Sequence, residues 1–273
     1  MNINADFRRV TAFTLVELLV TIAIIAIIAS LLFPALARSK AAGKRIVCTS
    51  NVKQLAIALQ MYLNEYNDYY PAANPVGAFQ DEEWLRWNPL QSTSFKPSDR
   101  TNLLSSGIVP YLGRFSTNLF DCPADTVLSR FRRKYQSFAD FVRYNQYYHF
   151  SYTLSSPLWA SAIAPRDYSV KNGVASTSVL NGNGEHILYK MHSSRISTPS
   201  EKIVFADEMM LYEYQKTPAP SDFLPAASAG WNWPIDKLTS RHSRRGVTSF
   251  ADGHVEAILP SVAAQRKHYD PLY

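Results

Sequence analysis

Cysteine and glycine are scarce: the 273 residues contain two Cys and 10 Gly. Two thiols cannot build a disulfide-dense scaffold or a four-thiolate zinc site, although they can make one disulfide in an oxidising compartment. A Gly-rich phosphate loop, a G-x-S-x-G elbow, an H-x-x-x-H pair and an EF-hand loop are all missing from the sequence. Enzymatic function is therefore not expected, and no catalytic residue is assigned. Charge of one sign is also in short supply. Lys and Arg number 28 against 22 Asp and Glu, a net +6 that does not by itself indicate a nucleic-acid partner. Outside the N-terminal helical region the only dense basic run is Arg130, Arg132, Arg133 and Lys134, so a nucleic-acid partner is not expected. Apolar residues, by contrast, make up 47% of the chain and aromatics 13%, enough to bury a core and to exclude wholesale disorder.

The apolar content is unevenly placed. From Phe13 to Phe33 the sequence reads FTLVELLVTIAIIAIIASLLF, with Glu17 as its single charge and no Gly, Pro, Lys or Arg. As a helix this run covers about 30 Å, the thickness of a bilayer's hydrocarbon core. A secretory signal peptide has a shorter apolar region followed by small residues for cleavage. Here the helical pattern continues through SKAAGKR and SNVKQLAIALQMYLNEY. The polar leader MNINADFRRVTA precedes the run, so a processing site consistent with this layout lies between Ala12 and Phe13. A carboxylate at the depth of Glu17 costs about 2.5–3.5 kcal/mol on insertion scales, which calls for a partner, protonation or a position close enough to the headgroups to snorkel. Pro34 removes a backbone donor just past the run. Beyond it Cys48, Val52, Leu55, Leu59, Tyr62 and Tyr66 recur at intervals of three and four, an apolar stripe on which a globular domain would pack. The helix is expected to end between Asn64 and Asp68.

The remainder, from about residue 67, reads as loops followed by short strands. Extended segments are expected at 150–154, 187–191, 202–206, 247–250 and 254–259. The last two flank Ala251-Asp252-Gly253, a hairpin signal, and Asn181-Gly182-Asn183-Gly184 marks another turn. The expected fold class is α+β: a long N-terminal helix packed on a C-terminal antiparallel β-sheet with irregular inserts.

Ala12 followed by Phe13-Thr14-Leu15-Val16-Glu17-Leu18-Leu19 resembles the prepilin peptidase site of type IV pilins and type II secretion pseudopilins. The resemblance implies removal of a leader of residues 1–12, N-methylation of Phe13, and a membrane and assembly helix over 13–33. It also implies an amphipathic continuation over 34–66 and an extracytoplasmic head over 67–273. Glu17, fifth from Phe13, would meet the freed amine of a neighbouring subunit's Phe13, and Pro34 falls where pilin helices commonly carry a proline. Ala12 departs from the family, which usually has Gly before the cut. The implied partners are the prepilin peptidase and methylase, an inner-membrane assembly platform and other pilin-like subunits. The implied location is the inner membrane with the leader in the cytoplasm and the head in the periplasm. The cations Arg38, Lys40, Lys44, Arg45 and Lys53 follow the apolar run without an acid between them, and a simple positive-inside count would orient the helix the other way. The cleavage grammar is the more specific of the two signals.

His242 followed after nine residues by Asp252-Gly253 resembles the H-X9-DG segment of prepilin-processing-associated proteins, as do the stretches around Cys48, Cys122 and 201–207. A metal or catalytic reading would unite His242, His254, Asp252 and Asp207 or Glu208. The preferred reading has Asp252 shaping the turn and His242 hydrogen-bonding to backbone or to the turn. Some pseudopilins bind calcium in a C-terminal loop, which keeps Asp207 and Asp252 as calcium candidates; otherwise no cofactor or metal is expected. Cys48 lies on the apolar stripe and Cys122 opens a Cys-Pro turn. A disulfide between them in an extracytoplasmic head would be worth about 4 kcal/mol in the chain-entropy model, the alternative being two buried free thiols. The alternative to a filament subunit is a pilin-anchored surface module. Its glycan contacts would be Trp231 and Trp233, with Trp84 and Trp87 in support, unless those rings belong to the core.

Overall fold

A computed structural model of the chain describes residues 14–72, 106–113, 116–125, 151–155, 174–180, 186–207, 230–231 and 238–269. Helix α1 spans Leu15–Glu65, 51 residues, and ends where the sequence pattern places its end. The chain divides into two compact units, one reaching to Gly43 and one beginning at Lys44.

In the first unit α1 carries its large aliphatic side chains in the open, Leu15, Leu18, Ile22, Ile25, Ile28 and Leu32 among them. It is long and apolar enough to cross a membrane. The hydroxyls in the apolar stretch fold back onto their own helix. Thr21 Oγ1 donates to the Leu18 carbonyl at 2.8 Å and Ser30 Oγ to the Ile27 carbonyl at 2.7 Å. Such back-bonding satisfies a hydroxyl where water is absent. Pro34 lies inside the helix.

In the second unit the face of α1 carrying Cys48, Val52, Leu55, Leu59 and Tyr62 is buried. Tyr66, the last member of the stripe, lies beyond the helix and stacks on Tyr62, ring centroids 4.1 Å apart. This face packs with strands β1 (Tyr152–Ser155), β4 (Ile203–Asp207) and β6 (Gly246–Phe250) in one core containing Tyr152, Leu154, Phe205 and Val247. With β5 (Gly230–Trp231) and β7 (Val255–Ile258) these form a five-stranded sheet of order β5-β1-β4-β6-β7. Four strands are antiparallel to their neighbours, as expected, but β5 runs parallel to β1 and makes the sheet mixed. The central strands β4 and β6 are buried at every residue, because a second cluster covers their other face. There Ile203, Ala206, Leu238, Phe250, Ile258 and Ala263 meet.

Strands β2 (Thr177–Leu180) and β3 (His186–Tyr189) form a separate antiparallel pair, and the expected turn at Asn181–Gly184 lies outside the described residues. The short helices α2 (Pro260–Ala263) and α3 (Arg266–Tyr269) close the described chain. The buried Lys202 ammonium ties α3 down, donating to the Lys267 carbonyl at 2.6 Å and to Thr198 Oγ1 at 3.2 Å.

Candidate functional site

Two places carry the residues singled out from the sequence. The first is the start of α1. Ala12 and Phe13 lie outside the described residues. From Thr14 on, the geometry is a capping box: Thr14 N–H and Oγ1 both donate to Glu17 Oε2, at 2.9 and 2.7 Å, and Glu17 N–H donates to Thr14 Oγ1 at 3.2 Å. The T-x-x-E spacing satisfies otherwise orphaned donors of the first turn and places a carboxylate at the positive end of the helix dipole. That signal is present in Thr14-Leu15-Val16-Glu17, beside the partner, protonation and snorkelling readings of Glu17.

The second place lies inside the second unit. Cys48 of α1 and Cys122 are joined by a disulfide, with Cα atoms 5.2 Å apart and a sequence separation of 74. The loop bearing Cys122 is fixed from two sides. Asn51, one turn after Cys48, donates its side-chain amide to the carbonyls of Asn118 and Asp121 at 3.3 and 3.1 Å. Ser151, at the entrance to β1, accepts from Cys122 N–H at 2.9 Å and donates to Asp125 Oδ2 at 3.1 Å.

His242 reaches this loop from the approach to β6. Its Nε2 lies 3.2 Å from Cys122 Sγ and 3.4 Å from Asp207 Oδ2 at the end of β4. Next to it Arg241 Nη1 bridges Asp207 Oδ1 at 2.6 Å and Asp125 Oδ2 at 3.1 Å, with all three side chains almost wholly buried. Buried charges survive only when paired in this manner. His242 is aimed inward by a tight turn in which its backbone pairs with Arg245 while Ser243 and Arg244 take positive φ, 54° and 69°. Such a conformation costs a non-Gly residue roughly 1–2 kcal/mol. Asp125, Arg241 and Ser151 carry no local mark of membership in the cluster, because each comes from a different segment.

The other end of the H-X9-DG segment is a docking point for α1. Lys53 Nζ donates to the Gly253 carbonyl at 2.8 Å, and Gln60 donates to the Ala251 carbonyl at 3.1 Å. Gly253 takes φ 87°, which favours glycine. Asp252 Oδ1 accepts from His254 N–H at 3.1 Å and sits 2.5 Å from His254 Nδ1, whose ring stacks on Phe250 at 4.2 Å. Burial tends to raise the Asp252 carboxyl, but these bonds from His254 outweigh it and hold the group below its ordinary value. The nine-residue spacer thus spans β6, with the disulfide cluster at one end and the turn at the other.

Of the residues in the metal and calcium readings, this arrangement brings His242 and Asp207 together but keeps Asp252 and His254 apart from them. Ile203 pairs with Phe250, so Asp207 lies at the far end of β4 from the Asp252 turn, about 13 Å away by strand rise. His254 belongs to the turn and His242 to the disulfide cluster. Trp231 lies in β5, and Glu208, Trp233, Trp84 and Trp87 fall outside the described residues.

Comparison with known proteins bears on the first of the two places. The family model described as the prokaryotic N-terminal methylation motif matches residues 7–33. This N-terminal segment is similar to that of type IV pilin-like proteins. The arrangement of its long helix followed by a largely antiparallel sheet is likewise pilin-like. Among curated proteins and solved structures, none matches the chain.

Proposed function

We propose that this protein is a pseudopilin-like subunit of a type II secretion or pilus-like filament. In this reading prepilin peptidase cuts after Ala12, Phe13 is N-methylated, and α1 anchors the chain in the inner membrane with its head in the periplasm. The helix then docks against other pilin-like subunits on an assembly platform. The observation that carries the reading is the methylation motif over residues 7–33, continuous with an apolar helix whose first turn holds Glu17. A carboxylate there needs a partner once water is gone. Thr14 supplies hydrogen bonds to it within the subunit, and the amine of a neighbouring Phe13 would supply the opposite charge.

The two contributions are separable. Gln at position 17 retains the capping box but not the charge, whereas Ala loses both. The expectation is that Glu17→Gln and Glu17→Ala both insert into membranes and both lose crosslinked oligomers. Only Glu17→Ala should also fray the first turn. Oligomers of Glu17→Gln at the wild-type level would remove the charge-directed docking step. Mass spectrometry of the mature N-terminus checks the processing step directly, and a chain still beginning at Met1 would overturn it.

A further inference from the structure

The disulfide cluster has the composition and spacing of a cation site in a second oxidation state. Cys48 Sγ, Cys122 Sγ and His242 Nε2 all lie within 4.8 Å of one another and are buried. Asp207 supplies an independent pointer. Its side chain is fully buried, Oδ1 is taken by Arg241, and Oδ2 has no hydrogen-bond partner among the described residues. That free oxygen is 3.4 Å from His242 Nε2. The separation is long for a charge-assisted hydrogen bond. It is close to the roughly 3.3 Å between adjacent O and N ligands, each about 2.0–2.1 Å from a tetrahedral zinc ion. The 3.2 Å between His242 Nε2 and Cys122 Sγ is likewise near the ~3.5 Å that neighbouring N and S ligands adopt around such an ion.

We propose that, with the disulfide reduced, Cys48, Cys122, His242 and Asp207 bind one thiophilic divalent cation of the zinc class. Reduction takes two electrons and two protons from a dithiol donor, which becomes a disulfide as the S–S bond opens to two thiols. Each thiol gives its proton to solvent when it ligates. The sulfurs then need to separate to ~3.8 Å, the edge of a zinc–thiolate tetrahedron, which side-chain rotation on α1 and on the Cys122 loop provides. Arg241 would orient the ligating carboxylate through its other oxygen, as outer-shell partners of metal sites do. The cation and the disulfide are then alternative ties between α1 and the loop at 118–125, one for a reducing and one for an oxidising compartment. This assignment stands apart from the assembly role.

The test uses the full chain in detergent, isolated from a reducing cytosol and kept in a phosphine reductant, titrated with Co²⁺ as the spectroscopic probe. The expected result is one equivalent bound with the visible bands of a tetrahedral site and sulfur-to-cobalt charge transfer, displaced by Zn²⁺ and absent after oxidation. His242→Ala should weaken binding at least about tenfold and Asp207→Asn measurably, by the scale on which lost metal-site partners act. Circular dichroism of the oxidised variants checks that they fold. Cys122→Ser should remove charge-transfer intensity even if that variant is destabilised. Absence of tetrahedral bands in the reduced wild-type chain, or equal affinity in a folded His242→Ala, would overturn the assignment.

Discussion

Arg241 stands between two buried carboxylates, Asp125 and Asp207, and is itself almost wholly buried. Removing it would leave two negative charges inside the head beside the Cys48–Cys122 disulfide. Breaking a buried ion pair by deleting one partner costs about 3–5 kcal/mol, far more than a surface pair. Arg241→Met is therefore expected to lose stability in that range in a urea titration, with an unchanged m-value. The paired removal of Cys48 and Cys122 as alanines acts through the unfolded chain instead. Freeing a loop of sequence separation 74 is expected to lower stability by about 4 kcal/mol in the chain-entropy model. The two deficits share a cluster, so the triple variant should depart from their sum, as neighbouring sites do.

Strand β6 links the two ends of the H-X9-DG segment, and its first residue has no room for a side chain. A Cβ on Gly246 would lie 2.5 Å from the Leu238 side chain and 2.7 Å from the Thr239 carbonyl oxygen. The carbonyl cannot rotate away, so Gly246→Ala is expected to cost about 1–3 kcal/mol in thermal or urea unfolding. Ser243→Gly in the preceding turn should act oppositely, relieving a positive φ and stabilising by several tenths to about 1 kcal/mol. These two positions also mark where the sequence could and could not be read. The apolar stripe of α1, the Asp-Gly turn and strands β3, β4, β6 and β7 follow from periodicity and turn chemistry that are local. The turn at His242–Arg245 carries Ser-Arg where a tight turn with positive φ usually carries Asn or Gly, so nothing local announces it. The parallel pairing of the two-residue β5 with β1, and the meeting of Asp125, Asp207 and Arg241, depend on long-range packing that no sequence period encodes. Thr14-x-x-Glu17, in contrast, was legible as a capping box and was masked by the family role assigned to the same carboxylate.

At the scale of the whole molecule, the burial of tyrosine sets the alkaline limit of the fold. Among the described residues Tyr62, Tyr70 and Tyr152 are almost wholly inaccessible, and Tyr70 and Tyr152 also lie near carboxylates. Burial raises both above their ordinary value of 10.0, helped by the charges of Asp68 and Asp252 near Tyr70 and of Asp207 near Tyr152. A group whose folded pKa is raised contributes stability that is complete below its unfolded pKa and is lost as pH rises toward the folded one. In the unfolded chain both phenols ionise near pH 10, whereas in the folded chain they stay neutral. Each therefore removes about 1.4 kcal/mol of stability per pH unit above 10, together close to 3 kcal/mol per unit. Against a typical total of roughly 5–15 kcal/mol, that slope predicts cooperative unfolding within a few pH units. The acid side slopes the other way. Asp252 is held below its ordinary value, so its contribution is present above pH 3.8 and fades as pH falls, but it is substantially solvated and its share is small. Tyrosinate absorbance followed with circular dichroism checks the alkaline limb. Exposed phenols should titrate first, and Tyr70 and Tyr152 should ionise only as helix and sheet are lost. Tyr70→Phe with Tyr152→Phe should flatten the alkaline loss of stability, and a limb as steep as the wild type's would show that other groups set it.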